Sequence, residues 1–199
     1  MQHAGCLIAL EGPDCSGTSR QSHMLTERLR QEGYDALCTV EPTNGTIGST
    51  IRNMLHGIAA PQPDTIQLLF TADRAEHVSA EILPALERGA IVVTDRYALS
   101  TIVYGMAQEL PEAWLRALNS QFPDPALTVI TLPPFAVCME RMARRQKRDH
   151  YEEPILQRKV YDLYARAQDP QTVFVDTSGT KEATAQTIWE AVSPVLTTL

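Results

Sequence analysis

The stretch Gly12 to Ser19, GPDCSGTS, is the first place in this chain where residue types and spacing suggest chemistry. Gly12, Gly17 and Ser19 fit the phosphate-binding pattern G-x-x-x-x-G-K-[ST]. There, two glycines let the backbone fold tightly, and its N–H groups, with the positive end of the following helix, meet phosphate oxygens. Thr18 stands where that pattern has lysine. A short uncharged side chain keeps the backbone cradle and removes its mobile cation. Phe70, Arg74 and His77 follow at spacings that share one helix face. An aromatic ring with a guanidinium four residues on gives a base a platform and an edge contact; the same pattern also describes a core-edge Phe beside two solvated polar residues. Asp95-Arg96-Tyr97 ends an apolar run. Its carboxylate can hold Mg²⁺ and its arginine can fork onto a phosphate, or the two can pair to cap the next helix. Last comes the basic run Arg141, Arg144, Arg145, Lys147, Arg148. It is either a solvated helix face or a lid that swings arginines onto a triphosphate.

The elements that must position these groups alternate. Cys6 to Leu10 reads as a strand, Gly12 to Ser19 as a loop, Ser19 to Gln31 as an amphipathic helix ended near Gly33, and Ala36 to Val40 as a second strand. Strand, helix and strand in so short a span is a βαβ unit, which implies a parallel sheet covered by helices. Glu41 to Gly45 is turn chemistry at a strand's carboxyl end, where α/β folds place ligands. Ile47 to Leu55 suggests a helix. After the break at Pro61 to Pro63, Asp64-Thr65 can cap one helix running from about Thr65 to Arg88. Ala90 to Thr94, Ala126 to Leu132 and Thr172 to Val175 read as further strands. Ser100 to Gly105, Pro111 to Phe122, Phe135 to about Arg145, Glu152 to Gln168 and Lys181 to Leu196 read as helices.

The chain has 199 residues, 44% of them apolar, enough for one sizeable core and short for two. A net charge of −7 argues against a surface built for a nucleic-acid backbone, so a phosphate site must be a local basic pocket. The four cysteines show no C-x-x-C pair, which suits neither a zinc site nor a disulfide framework. No basic leader or long apolar run is evident, and the expectation is a cytoplasmic protein without membrane or nucleic-acid partners.

Taken together, the segments resemble the thymidylate kinase family, nucleoside monophosphate kinases with a P-loop. The resemblance spans nearly the whole chain. EGPDCSGTSRQ looks like the P-loop, EPTNGTIG the loop after the second strand, LLFTADRAEHV the base-binding helix, and DRYALSTIVYG the DRY segment. PDPALTVITL through RRQKRDHYEE resembles the last strand and lid. It implies a single domain over residues 1–199, with the P-loop at 12–19 and the lid at about 144–153. The implied fold is the three-layer α/β arrangement of P-loop NTPases, a five-stranded parallel sheet flanked by helices. The implied activity is phosphoryl transfer from ATP to dTMP with Mg²⁺, in a homodimer formed through helices bearing residues such as Met54, Leu55 and Leu83.

The resemblance also implies roles. Gly12, Pro13, Asp14, Cys15, Ser16, Gly17, Thr18, Ser19 and Arg20 would hold the ATP phosphates, with Ser19 and Asp95 serving magnesium. Phe70 would stack on thymine, Arg74 would bond its edge, and Asp14 would accept from the sugar hydroxyl. Arg96 would grip the monophosphate, Tyr104 would wall off the sugar, Tyr151 would close over the nucleoside, and Glu41, Tyr97 and Ser100 would complete the acceptor pocket. Two positions depart from the family by losing a cation: Thr18, and Val40 where arginine is usual before Glu41-Pro42. Arg20, or Arg144, Arg145 or Arg148 in the lid, would compensate. The alternatives are a silent nucleotide-binding relative and a kinase for another nucleoside monophosphate. Cys15 followed by Arg20 comes close to a cysteine phosphatase loop, but four residues separate them where that motif has five.

Overall fold

The computed structural model describes residues 5–57, 60–145, 150–167 and 171–197. Strands β1 (Cys6–Glu11), β2 (Ala36–Val40), β3 (Ile91–Asp95), β4 (Leu127–Thr131) and β5 (Thr172–Val175) pair in parallel in the order β2-β3-β1-β4-β5. The central strand β1 is buried at every position, which is why its sequence is a near-continuous apolar run rather than an alternation. Ile8 lies beside Val93 on one side and Leu127 on the other.

The helices are α1 (Thr18–Gln31), α2 (Thr46–Leu55), α3 (Pro63–His77), α4 (Leu83–Glu87), α5 (Ala98–Ala107), α6 (Glu112–Asn119), α7 (Phe135–Ala143), α8 (Pro154–Tyr164) and α9 (Lys181–Leu196). Successive side chains of a strand point to opposite faces. Cys6, Ile8 and Leu10 therefore pack with Leu25 and Leu29 of α1 and Ile188, Val192 and Leu196 of α9. Leu7 and Ala9 face the other way, onto Val78, Ile82 and Ala85. A third cluster, including Ile51, Ile66, Val103, Tyr151 and Tyr164, joins α2, α3, α5 and α8 beside Ile130. Among the described residues no helix is long and apolar enough to cross a membrane.

Two element readings change. The helix expected over Thr65 to Arg88 begins at Pro63, after Gln62 and without a side-chain cap, because proline at the first position needs no N–H partner. It is also interrupted: Val78–Ile82 form a π-helical turn before α4. The helix expected over Glu152 to Gln168 is the shorter α8, opened by Pro154 and capped by the Glu153 carboxylate, which accepts from the N–H of Leu156. Gln168 lies outside the described residues.

β1 has β3 on one side and β4 on the other, so successive crossovers leave it in opposite directions. In open α/β sheets that switch point is where ligands bind, outside the carboxyl ends of the strands. The loops after all five strands emerge at this edge.

Candidate active site

After β1 the chain turns at Gly12 with φ 154°, where a Cβ would lie 2.5 Å from the Thr131 carbonyl oxygen. Only glycine permits that approach. Gly17, at φ 106°, caps α1 without a side-chain hydrogen bond, so no side chain of the cap competes for the first-turn N–H groups. The loop between them is fastened from outside. Ser16 Oγ shares a 2.7 Å hydrogen bond with Thr131 Oγ1, Thr177 donates to the Ser16 carbonyl, and Arg141 Nη1 donates to the Cys15 carbonyl at 3.3 Å while its Nη2 reaches the Thr177 carbonyl at 2.6 Å. Cys15 itself takes φ 63°. Burial pushes its thiol above the ordinary value, although Arg145 and Arg141 pull the other way, which is the opposite of an activated phosphatase nucleophile.

Asp14 is held on both carboxylate oxygens. Arg96 Nη2 donates to Oδ1 at 2.6 Å, and Gln157 Nε2 from α8 donates to Oδ2 at 2.6 Å. Arg96 sits at φ 70°, a conformation that costs a non-glycine residue about 1–3 kcal/mol. Its Nη1 also donates to the Gly12 carbonyl at 2.9 Å, and its guanidinium lies 5.3 Å from the Tyr104 ring centroid. The alternative of an Asp95–Arg96 pair capping the next helix is not formed; the arginine pairs with Asp14. Beneath it Glu11, fully buried, accepts from the N–H groups of Tyr97 at 2.8 Å and Ser100 at 3.1 Å and from the hydroxyls of Ser100 at 2.5 Å and Tyr164 at 2.9 Å. Burial raises its carboxyl above the usual value against the pull of Ser100 and Arg96. Glu11 thereby ties the end of β1 to the segment that carries Arg96.

Ser19 Oγ donates to Asp95 Oδ2, while Asp95 Oδ1 is buried without a hydrogen-bond partner among the described residues. A hydroxyl and an under-used carboxylate at the edge of a phosphate cleft are hard oxygen donors of the kind Mg²⁺ takes alongside substrate phosphates and water. The residues present fit that ion.

Two cavities meet here. A cleft of about 910 Å³ runs along the first loop and is lined by Thr18, Ser19, Arg20, Arg52, Arg96, Arg141, Arg145 and Lys181, with Asp14, Glu41 and Asp95 as its acids. In a chain of net charge −7 this is a local excess of cations. A smaller pocket of about 120 Å³ is lined by Gln67, Phe70, Arg74, Tyr97, Ser100, Tyr104 and Tyr151. Both include Asp14, Glu41, Pro42, Leu55 and Arg96, so the pocket opens into the cleft at the Asp14–Arg96 pair.

In the smaller pocket the Phe70 and Tyr151 rings lie 6.5 Å apart at 19°, and Tyr151 lies 5.1 Å from Tyr104. Arg74 and His77 are 1% and 4% exposed, so the reading of solvated residues beside Phe70 fails. Arg74 donates twice to Glu41 Oε2, at 2.9 and 2.6 Å, and to Thr101 and Asn119. His77 Nδ1 lies 3.0 Å from Glu41 Oε1. The Arg74 guanidinium, with the His77 ring nitrogen as a further hydrogen-bond partner, is what lets a carboxylate be buried at this strand end.

Of the basic run, Arg145 lines the cleft and pairs with Glu152 at 2.6 Å. Arg144 pairs with Glu140 on its own helix and does not line the cleft. Arg148 lies outside the described residues. Arg20 lines the cleft, as expected, and Val40 lines it as an apolar residue. Sequence reasoning did not single out Gln157, Arg52, Lys181, Glu11 or Gln67. Arg141 stood in the basic run, and its spacing of four from Arg145 marks a shared helix face; the other residues carry no local signal.

Residues 10–188 match the family model described as Thymidylate kinase. The chain is 40% identical over 201 residues to a protein of Thermomicrobium roseum named Thymidylate kinase, 95% of each chain being covered. It is 39% identical over 200 residues to one of that name from a Synechococcus strain, again with 95% of each covered. It is 38% identical over 168 residues to a Pyrococcus abyssi protein named Probable thymidylate kinase, with 81% of this chain and 82% of that protein covered.

Proposed function

Because this chain belongs to the thymidylate kinase family, we propose that it transfers the γ-phosphoryl group of ATP to dTMP, giving ADP and dTDP. The observation that carries this reading is the small aromatic pocket opening, at Asp14 and Arg96, into a cationic cleft along the first loop. One cavity suits a nucleoside, the other a triphosphate, and their junction puts acceptor and donor phosphates together.

The acceptor's base stacks on Phe70, with Tyr151 on its other side and Arg74 at its edge. Tyr104 fills the space against the sugar, and Asp14 takes its hydroxyl. Arg96 grips the acceptor phosphate, held on the cleft side by Asp14 and Gly12 and seated by Glu41, Tyr97 and Ser100 at the pocket wall. The backbone of Gly12 to Arg20 receives the donor's phosphates. The acceptor phosphate is already anionic, so the protein has no base to supply. It aligns two nucleotides and offsets the charge of the transferred group. Mg²⁺, held by Ser19 and Asp95, would neutralise phosphate charge when bound. Arg145, from the lid segment and at the cleft wall, supplies the cation that Thr18 does not, and Arg141 keeps the loop in shape. Cytoplasmic placement and a homodimer are part of this reading. Leu55 is buried in the core and Leu83 is 39% exposed, so of these two only Leu83 is available to a partner surface.

The test is release of ADP from Mg-ATP in the presence of dTMP, dUMP, dCMP or dGMP. Turnover with dTMP well above the other acceptors is expected; preferential turnover of another nucleotide, or none with any, overturns the reading.

A further inference from the structure

Glu11 is fully buried at the carboxyl end of β1 and lines neither cavity, so any part it plays must pass through another residue. Its two oxygens face different partners. Oε1 accepts the backbone N–H groups of Tyr97 and Ser100, which pins the chain just after Arg96 and with it the left-handed backbone of Arg96. Oε2 accepts the hydroxyls of Ser100 and Tyr164. In its ionised form a carboxylate only accepts. It therefore draws the single Ser100 proton toward itself and leaves a Ser100 lone pair for Arg96 Nη1, which donates to it at 3.2 Å. Nη1 is thus committed to Ser100 and the Gly12 carbonyl, and one Nη2 N–H to Asp14. Of the five guanidinium donors, the Nε–H and the second Nη2 N–H remain over among the described residues. Two such donors are what a forked contact to a phosphate uses.

We propose that Glu11 is a positioning residue for the acceptor's phosphate: through the Tyr97 N–H and the Ser100 hydroxyl it fixes the backbone and the Nη1 side of Arg96, so that the remaining donors face the phosphate. The charge matters as well as the shape. A glutamine here must keep its oxygen toward the two backbone N–H groups, which cannot reverse. Its amide N–H groups then meet Ser100 and Tyr164, where the carboxylate offered an acceptor, and the hydroxyls lose the polarity that suits Arg96. Tyr164 lies on α8, the helix that also sends Gln157 to Asp14. Both members of the Asp14–Arg96 pair are therefore anchored to α8, Asp14 through Gln157 and Arg96 through Glu11.

This inference rests on the proposed reading that Arg96 grips the acceptor phosphate, and thymidine, which lacks that phosphate, separates the two. Dissociation constants for dTMP and thymidine are measured by calorimetry on the full chain, unaltered and as Glu11→Gln, Arg96→Ala and the double variant, with thermal unfolding as the check on folding. The unaltered protein is expected to bind dTMP at least about tenfold more tightly than thymidine. Glu11→Gln weakens dTMP about tenfold and moves thymidine by less than about twofold. In Arg96→Ala, which has already lost the grip, adding Glu11→Gln changes dTMP binding by less than about twofold, the non-additivity of two residues that act as one unit. A Glu11 that served the fold alone would weaken both ligands, and would weaken dTMP again in the Arg96→Ala background. Either result, or unchanged dTMP binding in Glu11→Gln, overturns the role of Glu11 alone. Should Glu11→Gln not fold, Ser100→Ala, which cuts the link to Arg96 Nη1 and leaves the buried carboxylate in place, carries the same cycle with the same expectations. An unaltered protein that binds thymidine as tightly as dTMP overturns the grip of Arg96 and this inference with it.

Discussion

Replacing Thr18 with lysine restores the ammonium group that the phosphate-binding pattern carries, at a position already set up to receive it. Thr18 opens α1, is 6% exposed and lines the cleft, and the cleft's roughly 910 Å³ leave room for a longer side chain. A unit charge about 4 Å from a phosphate oxygen gains roughly 4 kcal/mol at an effective dielectric of about 20. Much of that is felt equally by bound ATP, and Arg96, Arg141 and Arg145 repel the newcomer. Leaving about 1.4–2.8 kcal/mol specific to the transition state, Thr18→Lys should raise kcat by about 10–100-fold, slightly under the loss usually seen on deleting such a group. The assay is coupled ADP release at saturating Mg-ATP and dTMP, with thermal unfolding confirming the fold. Thr18→Met, of similar length but uncharged, is the control and should gain nothing. If Thr18→Lys leaves kcat unchanged, or lowers only the KM for ATP, the transferred group already meets all the positive charge it can use, and the reasoning is refuted.

Arg145→Ala should lower kcat by about 10²–10³, whereas Arg144→Ala, whose partner is Glu140 on the surface, should change it by less than about threefold; equal effects would discard the assignment of Arg145. Burial raises the Cys15 thiol, so the thiolate fraction near neutrality is smaller than for a free cysteine. Its alkylation by iodoacetamide, followed by peptide mass spectrometry, should still be climbing about tenfold per pH unit as the pH passes 8.5. A plateau below that pH would contradict the burial of the loop, and ATP should slow the reaction.

Much of the architecture was legible because it rests on local chemistry. The apolar runs of β1 and β3, the glycines at 12 and 17 and the turn at Glu41-Pro42 are signals within a few residues, whereas the strand order, which depends on pairing between distant segments, was not read from the sequence. The π-helical turn after His77 was not legible, since its apolar positions continue the stripe of α3 without interruption. At the site, Phe70, Arg74, Asp95 and Arg96 could be picked out by spacing and neighbours, and they do line the two cavities. The charge state of the neighbourhood could not. Arg74 reads as a surface residue until Glu41, 33 positions away, is seen to bury it. Gln157 reaches Asp14 across 143 positions, and a glutamine in mid-helix announces nothing. Long-range polar partners leave no periodicity behind, so sequence reasoning found groups that line the two cavities sooner than those that hold them.

The central claim is that nucleoside pocket and phosphate cleft form one continuous site joined at Asp14 and Arg96. Calorimetry with adenosine and thymidine linked through five phosphates tests it most directly, because only a continuous site engages both ends at once. One molecule per chain is expected to bind, at least about 10² more tightly than dTMP alone, and to lose that advantage in Arg96→Ala. Binding no tighter than dTMP, or two molecules per chain, would contradict the account.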